Sequence, residues 1–182
     1  NHAMTLLNDG RVLTSGGMTG KGSWSTWVSS DTTELYDSKN GSFTVGPKMT
    51  RPRNAHTSTV RANGSVLIVG GVAWGATSPK VANDLYDPVK NTMTSVSYPG
   101  GSLPTGHFSM LLKDGRVLVV DDAKVVAFSP TMGGVWDTLP GIPDKRWSFT
   151  ATLLNNNKVL VAGGVVNDTP YTFAKTALML HL

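Results

Sequence analysis

The sequence predicts an all-β fold made of four copies of one antiparallel meander, and three observations carry that prediction. The first is a repeat. The apolar pair Val66-Leu67, inside the stretch from Arg53 to Gly71, has counterparts at Val12-Leu13, Val117-Leu118 and Val159-Leu160, spaced 54, 51 and 42 residues apart. Each pair follows a turn (NDG, ANG, KDG, NNN) and a run of small and apolar residues. In three copies a glycine pair comes next, at Gly16-Gly17, Gly70-Gly71 and Gly163-Gly164; the third copy has Asp121-Asp122 there. Periods of this size mark repeat architectures. The second observation is composition: 20 Gly, 10 Pro and only 15% charged residues in a chain of 182 residues that is 40% hydrophobic. Such a chain can bury a core in one or two domains, and its balance favours turns and short strands over helices. The third is periodicity. Short alternating runs are split by turn residues, and no stretch has convincing helical spacing.

Taken in order, the first repeat (about residues 1–50) reads as strands HAMTLL, RVLTS, TELYD and SFTVG. The second (51–101) gives His56 to Val60, Ser65 to Val69, Asn83 to Asp87 and Thr92 to Ser97; Ser65 to Val69 is nearly all apolar, as for a strand buried on both faces. The third (102–144) gives GHFSMLL, RVLVV, VVAFS and VWDTL, with Asp121-Asp122 read as a hairpin turn whose Asp side chains supply local hydrogen bonds. The fourth (145–182) gives FTATLL, KVLVA and ALMLHL. Four antiparallel strands per repeat, each joined to its neighbour, describe a propeller blade. The count is 15 strands where four blades need 16, the last blade lacking its outer strand. An open arc would leave apolar faces and a strand edge in water, so the expectation is a slice of a larger propeller or a homo-oligomer.

Composition also narrows function. The net charge of +4 comes from 16 basic and 12 acidic residues, and the basic ones are scattered singly. A nucleic-acid groove would need them clustered with stacking aromatics, so no nucleic-acid partner is expected. With no Cys, disulfides, thiol catalysis and Cys-ligated metals are excluded. No apolar run approaches ~20 residues, so no membrane-spanning helix is expected. The opening NHAMTLLNDG already belongs to a repeat and does not read as a signal peptide.

The consensus of the copies is [ED]-L-Y-D-P-x-x-x-x-[FM], then R-x-x-H-T, then [ND]-G-x-V-L-x-x-G-G. The glycine pairs, Tyr36-Asp37, Tyr86-Asp87, and Arg53 with His56 are its marks. It resembles the bacterial form of the kelch repeat over essentially the whole chain, which implies a single kelch β-propeller domain or segment over 1–182. The third repeat departs most, with Phe128-Ser129 for Tyr-Asp and Pro104 for the Arg; the fourth keeps Arg146 but has Phe149 in place of His. The resemblance also implies that partners dock on the loop-rich face and that such chains are often exported, a weak lean toward a secreted location.

A meander puts the entry loops and the loops after the glycine pairs on one face, opposite the minimal turns. The loops Met18 to Thr32, Val72 to Ala82 and Val165 to Lys175 are long and read as lacking secondary structure. Trp24, Trp27, Trp74 and Tyr171 lie in them, and Arg51, Arg53, Arg146 and Trp147 lie in the entry loops. Long loops, Trp, Tyr and Arg are features of binding surfaces. The competing reading is packing: Trp27 over the blade below, Trp147 between blades, and Arg53 and Arg146 on neighbouring carbonyls, since the two recur at one repeat position. Arg51 does not recur and is the better contact candidate. His2, His56 and His107 share one place at the start of the first, innermost strand of three repeats, and three imidazoles converging could hold a metal. The alternative is that each bonds within its own blade, so no cofactor and no metal are expected.

These residues suit a non-enzymatic binding or scaffold module for a protein or glycan. Alternatives are a structural segment of a secreted protein, or the propeller portion of a secreted carbohydrate-active enzyme. Copper radical oxidases and sialic acid epimerases are the propeller enzymes that the resemblance brings in. The oxidase centre needs a Tyr crosslinked to Cys, which this chain lacks, and no catalytic residue is marked for an epimerase-like proton transfer.

Overall fold

The computed structural model of the chain describes residues 1–21, 26–75, 83–99, 105–122, 124–129, 134–168 and 170–181; the side chains of Asn167 and Asp168 are outside the description. Two compact units divide it, Asn1–Thr105 and Gly106–Leu182. The first holds β1 (Ala3–Leu6), β2 (Val12–Ser15), β3 (Met18–Thr19), β4 (Val28–Ser29), β5 (Thr33–Asp37), β6 (Ser42–Val45), β7 (Thr57–Val60), β8 (Val66–Val69), β9 (Asn83–Asp87) and β10 (Thr92–Val96). The second holds β11 (Phe108–Leu111), β12 (Val117–Val120), β13 (Val125–Phe128), β14 (Trp136–Leu139), β15 (Thr150–Leu153), β16 (Val159–Ala162), β17 (Val165–Asp168), β18 (Tyr171–Phe173) and β19 (Ala177–Leu180).

Fifteen of these strands form the four expected meanders, ordered β1-β2-β5-β6, β7-β8-β9-β10, β11-β12-β13-β14 and β15-β16-β19, every pair antiparallel. Consecutive antiparallel meanders of this kind make a β-propeller-like fold. The register agrees with the side-chain alternation: Val66 pairs with Val60 and Tyr86, and Val117 with Leu111 and Phe128. The four residues of β8, and likewise the four of β12, are buried on both faces, as their unbroken apolar runs predict. Outer strands pair aromatics across the ladder: Tyr36 with Phe43 and Phe128 with Trp136, each at a centroid distance of 4.9 Å.

One expectation is corrected. The loops read as lacking secondary structure carry two small antiparallel hairpins, β3-β4 and β17-β18. Ser30 N donates to Gly17 O at 2.9 Å and Ala174 N to Gly164 O at 2.8 Å, so the glycine pairs fasten the far ends of the hairpins. Strands of two to four residues are too short to show a period in the sequence.

Each unit has its own core. In the first, Leu13, Leu35, Val66, Ile68 and Tyr86 pack with Leu7 and Met49, and Thr5 Oγ1 on β1 donates to Ser58 Oγ on β7 at 2.7 Å. In the second, Leu118, Val120, Val125 and Ala127 pack with Val159, Val161, Phe149 and Leu180. Burying one such side chain contributes roughly 1.5–3 kcal/mol. Close approach accounts for Gly16, Gly17, Gly71 and Gly164, whereas Gly163 has open space where a Cβ would go. A Cβ on Gly16 would lie 2.4 Å from Arg53 O and 2.8 Å from the His56 ring, while one on Gly17 would lie 3.0 Å from His2 Cβ. Thus Gly16 admits the entry loop of the next meander, and Gly17 admits His2 just ahead of β1 in its own. In the third meander, Asp121 does form the expected turn: its N donates to Lys124 O at 3.0 Å and its Oδ1 accepts from Lys124 N at 2.8 Å.

Candidate functional site

In the first unit three segments meet at a buried hydroxyl. Ser29, on β4, donates from Oγ to Val72 O at 3.0 Å and accepts from Asn54 Nδ2 at 2.8 Å and from Trp74 N at 2.9 Å. Main-chain bonds add to this: Ser29 N donates to Trp74 O, and Asn54 and Val72 exchange both of theirs. Each polar group is satisfied away from water, so the stretch from Val72 to Trp74 is fixed in place. Trp74 is held here with 49% of its surface exposed. Val28, also exposed, sits against Gly75, where an added Cβ would come within 2.6 Å. Trp27 is half-buried and folds back on its own hairpin: a Cβ on Gly20 would lie 2.9 Å from its Cα and 3.1 Å from its Cγ. Trp27 therefore covers Gly20 of its own hairpin. Trp24 and Pro104 lie outside the described residues.

Arg53 is a strut in this unit. It is 2% exposed, donates through NH1 to Gly70 O at 2.8 Å and forms a 2.5 Å ion pair with Asp84 through NH2. Asp84 Oδ1 also accepts from Thr50 N at 2.9 Å, so one carboxylate ties the entry loop to β9. Burial pushes the Arg53 guanidinium below its ordinary pKa, and Asp84 pulls it back up. Arg51 is half-buried, and its charge adds a smaller downward push on Arg53.

In the second unit Arg146 repeats the role with different partners. It is fully buried and donates through NH1 to Gly163 O and Thr176 O, both at 3.2 Å, and through NH2 to Asp144 Oδ2 at 3.1 Å and Thr176 Oγ1 at 3.3 Å. Both arginines thus bond carbonyls that follow the second strand of their own meanders, and a buried guanidinium offers no surface to a docking partner. Trp147 occupies the repeat position of Asn54 and makes the same kind of bridge, to Val165. Cross-strand partners project to one face. Trp147 and Phe173 both pair with the buried Val165, and Tyr171 lies two residues from Phe173 on β18, which brings the three rings to one side of a hairpin whose ladder is irregular between Val165 and Asn167. Tyr171 meets Trp147 edge-on at 6.2 Å. The rings remain open, Trp147 at 42%, Tyr171 at 66% and Phe173 at 68% exposed. Beside them runs a groove of about 470 Å³ lined by Asp144, Lys145, Val166, Phe173, Lys175 and Thr176, among others.

One histidine, His56, departs from the expectation that each bonds within its own blade. His56 shares a 2.8 Å hydrogen bond, through Nε2, with Ser15 Oγ at the end of β2 in the preceding meander. His107 is buried and His2 is exposed. Among the described residues no three His, Asp or Glu side chains gather as a metal site. Sequence reasoning missed Ser29, Asn54, Phe173 and Lys175. The alternation of Tyr171 with Phe173, and the shared repeat position of Asn54 and Trp147, were the available signals.

No protein-family model and no curated protein matches the chain. Solved structures do. The chain is similar to a fungal alcohol oxidase with catalytic diversity among the AA5 family, solved in complex with copper: TM-score 0.75, 19% identity, over 100% of this chain and 39% of that one. It is also similar to YjhT, with TM-score 0.75 and 13% identity over 99% of this chain and 67% of that protein. Likeness at these identities is likeness of fold. The chain spans about two fifths of the length of the alcohol oxidase.

Proposed function

We propose that the protein is a binding module that presents aromatic side chains, braced from behind by its loops, to a protein or glycan partner. One observation carries the reading: Trp147, Tyr171 and Phe173 stand exposed together on a small hairpin that main-chain bonds at Trp147, Val165 and Gly164 tie to its own unit. Rigid aromatics bind with little ordering cost, because their positions are set before the partner arrives. Trp74 is the counterpart in the first unit, held by Ser29 and Asn54. Arg51 completes the candidate contacts, while Arg53 and Arg146 act through the loops that they brace.

The test is glycan-array and pull-down screening of the native chain against Trp74→Ala, Trp147→Ala and Tyr171→Ala. Loss of an interface aromatic costs about 1–2 kcal/mol or more, roughly five- to thirtyfold in affinity. Partners retained undiminished by all three variants overturn the proposal. The second reading, a propeller portion of a secreted carbohydrate-active enzyme, draws on the fold likeness to the fungal alcohol oxidase. Turnover of an alcohol or sugar by the native chain would replace the first reading with it.

A further inference from the structure

Resting on the binding-module reading, we infer that the groove beside the aromatic face of the second unit takes a pyranoside carrying a single negative charge. Three features point to this ligand. The first is the aromatic surface: Trp147 and Tyr171 meet edge-on, exposing both rings, and Phe173, two residues from Tyr171, continues them into the groove. Exposed ring faces suit the C–H face of a sugar ring, which is apolar on one side and rimmed by hydroxyls. A peptide partner would instead favour a deep, desolvated pocket for an anchor side chain, and this groove is shallow and open.

The second feature is the balance of charge. Lys145 pairs with Asp122 at 3.1 Å, and Arg146 pairs with Asp144 at 3.1 Å. Lys175 is exposed, lines the groove and makes no ion pair among the described residues. Two neutralised pairs and one odd ammonium leave room for one negative group. The exposed Asp144 on the rim opposes a polyanion, so a nucleic-acid strand or a highly sulfated chain is disfavoured. The third feature is rigidity. Arg146 bonds both Asp144 and Thr176, so one buried side chain joins two of the residues that line the groove. Here Arg146 is a positioning residue and Lys175 the contact.

Carboxylate and sulfate would satisfy Lys175 alike, and the experiment separates them. Isothermal titration of the native chain uses a disaccharide ending in glucuronate, its methyl ester, and a disaccharide bearing one sulfate. The glucuronate form is expected to bind about tenfold more tightly than its ester, the usual worth of a charge-assisted hydrogen bond. That preference should shrink as salt is added. In Lys175→Ala the acid and the ester should bind alike, whereas Tyr171→Ala and Phe173→Ala should weaken both by the same factor. Lys175 and the two rings are exposed, so thermal melting of the variants should match the native chain. A stronger response to the monosulfated sugar than to glucuronate assigns the charge to sulfate within the same inference. Equal binding of acid and ester by the native chain, or a preference that survives Lys175→Ala, overturns it while leaving the loop-binding reading intact. Binding of an acidic peptide but of none of the sugars overturns the ligand class. If, in addition, the aromatic variants retain every partner found by pull-down, the binding-module reading falls with it.

Discussion

At the residue scale, one backbone feature recurs wherever an entry loop turns into its first strand. Ala55, Gly106 and Ser148 sit at one repeat position with φ of +53°, +65° and +53°. A side chain there costs about 1–2 kcal/mol in the left-handed region. Gly106 has open space where a Cβ would go, so Gly106→Ala isolates the backbone term. It should lower unfolding stability in urea by about 1 kcal/mol, and Ala55→Gly should be neutral or raise it. Equal destabilisation by both substitutions would contradict the assignment.

The Arg53–Asp84 pair also belongs to this scale. Removing one partner of a buried pair strands the other, at a cost of about 3–5 kcal/mol. Asp84→Ala is therefore expected to be severely destabilising, the more so because Thr50 N loses its acceptor. The double change Arg53→Met with Asp84→Leu should cost less than the sum of its parts, as measured by a double-mutant cycle in urea.

At the element scale, the tight turns opposite the glycine-pair loops are governed by carboxylates. Asp9 is held below the usual carboxylate range, chiefly by the Arg11 side chain, and Asp87 chiefly by the Lys90 backbone N–H. A carboxyl whose folded pKa is depressed adds stability that is present above its unfolded value and lost as pH falls through the folded one. Urea midpoints should therefore decline as pH drops from about 5 to about 3, and the decline should be shallower in Asp9→Asn and Asp87→Asn. A slope that both variants leave unchanged would assign the acid sensitivity to other groups.

At the scale of the whole molecule, among the described residues, three sheets have four strands and the sheet of β15, β16 and β19 has three, with β19 at its edge. Met179 and Ala177 of that edge strand are exposed. We propose that the chain associates in solution, as open edges invite pairing. Light scattering should return a mass above that of a single chain, and a single-chain mass across the accessible concentration range would reject the association.

The meanders were legible in the sequence because their cause is local. Val66 to Val69 and Val117 to Val120 are apolar at every position, the turns before them carry Asn, Asp and Gly, and alternation needs only neighbours to be read. The recurrence of Arg53 and Arg146 likewise disclosed their bracing of carbonyls before any partner was known. What stayed hidden depended on residues far apart in the chain. That Arg53 meets Asp84, that His56 reaches back to Ser15, and that Trp147, Tyr171 and Phe173 come to one side of a hairpin at Val165 follow from cross-strand register and burial. The sequence by itself determined the strands, since backbone and side-chain period suffice for those. Which aromatics stay exposed and which cations are paired came from the folded chain, because exposure and charge balance belong to neighbours in space.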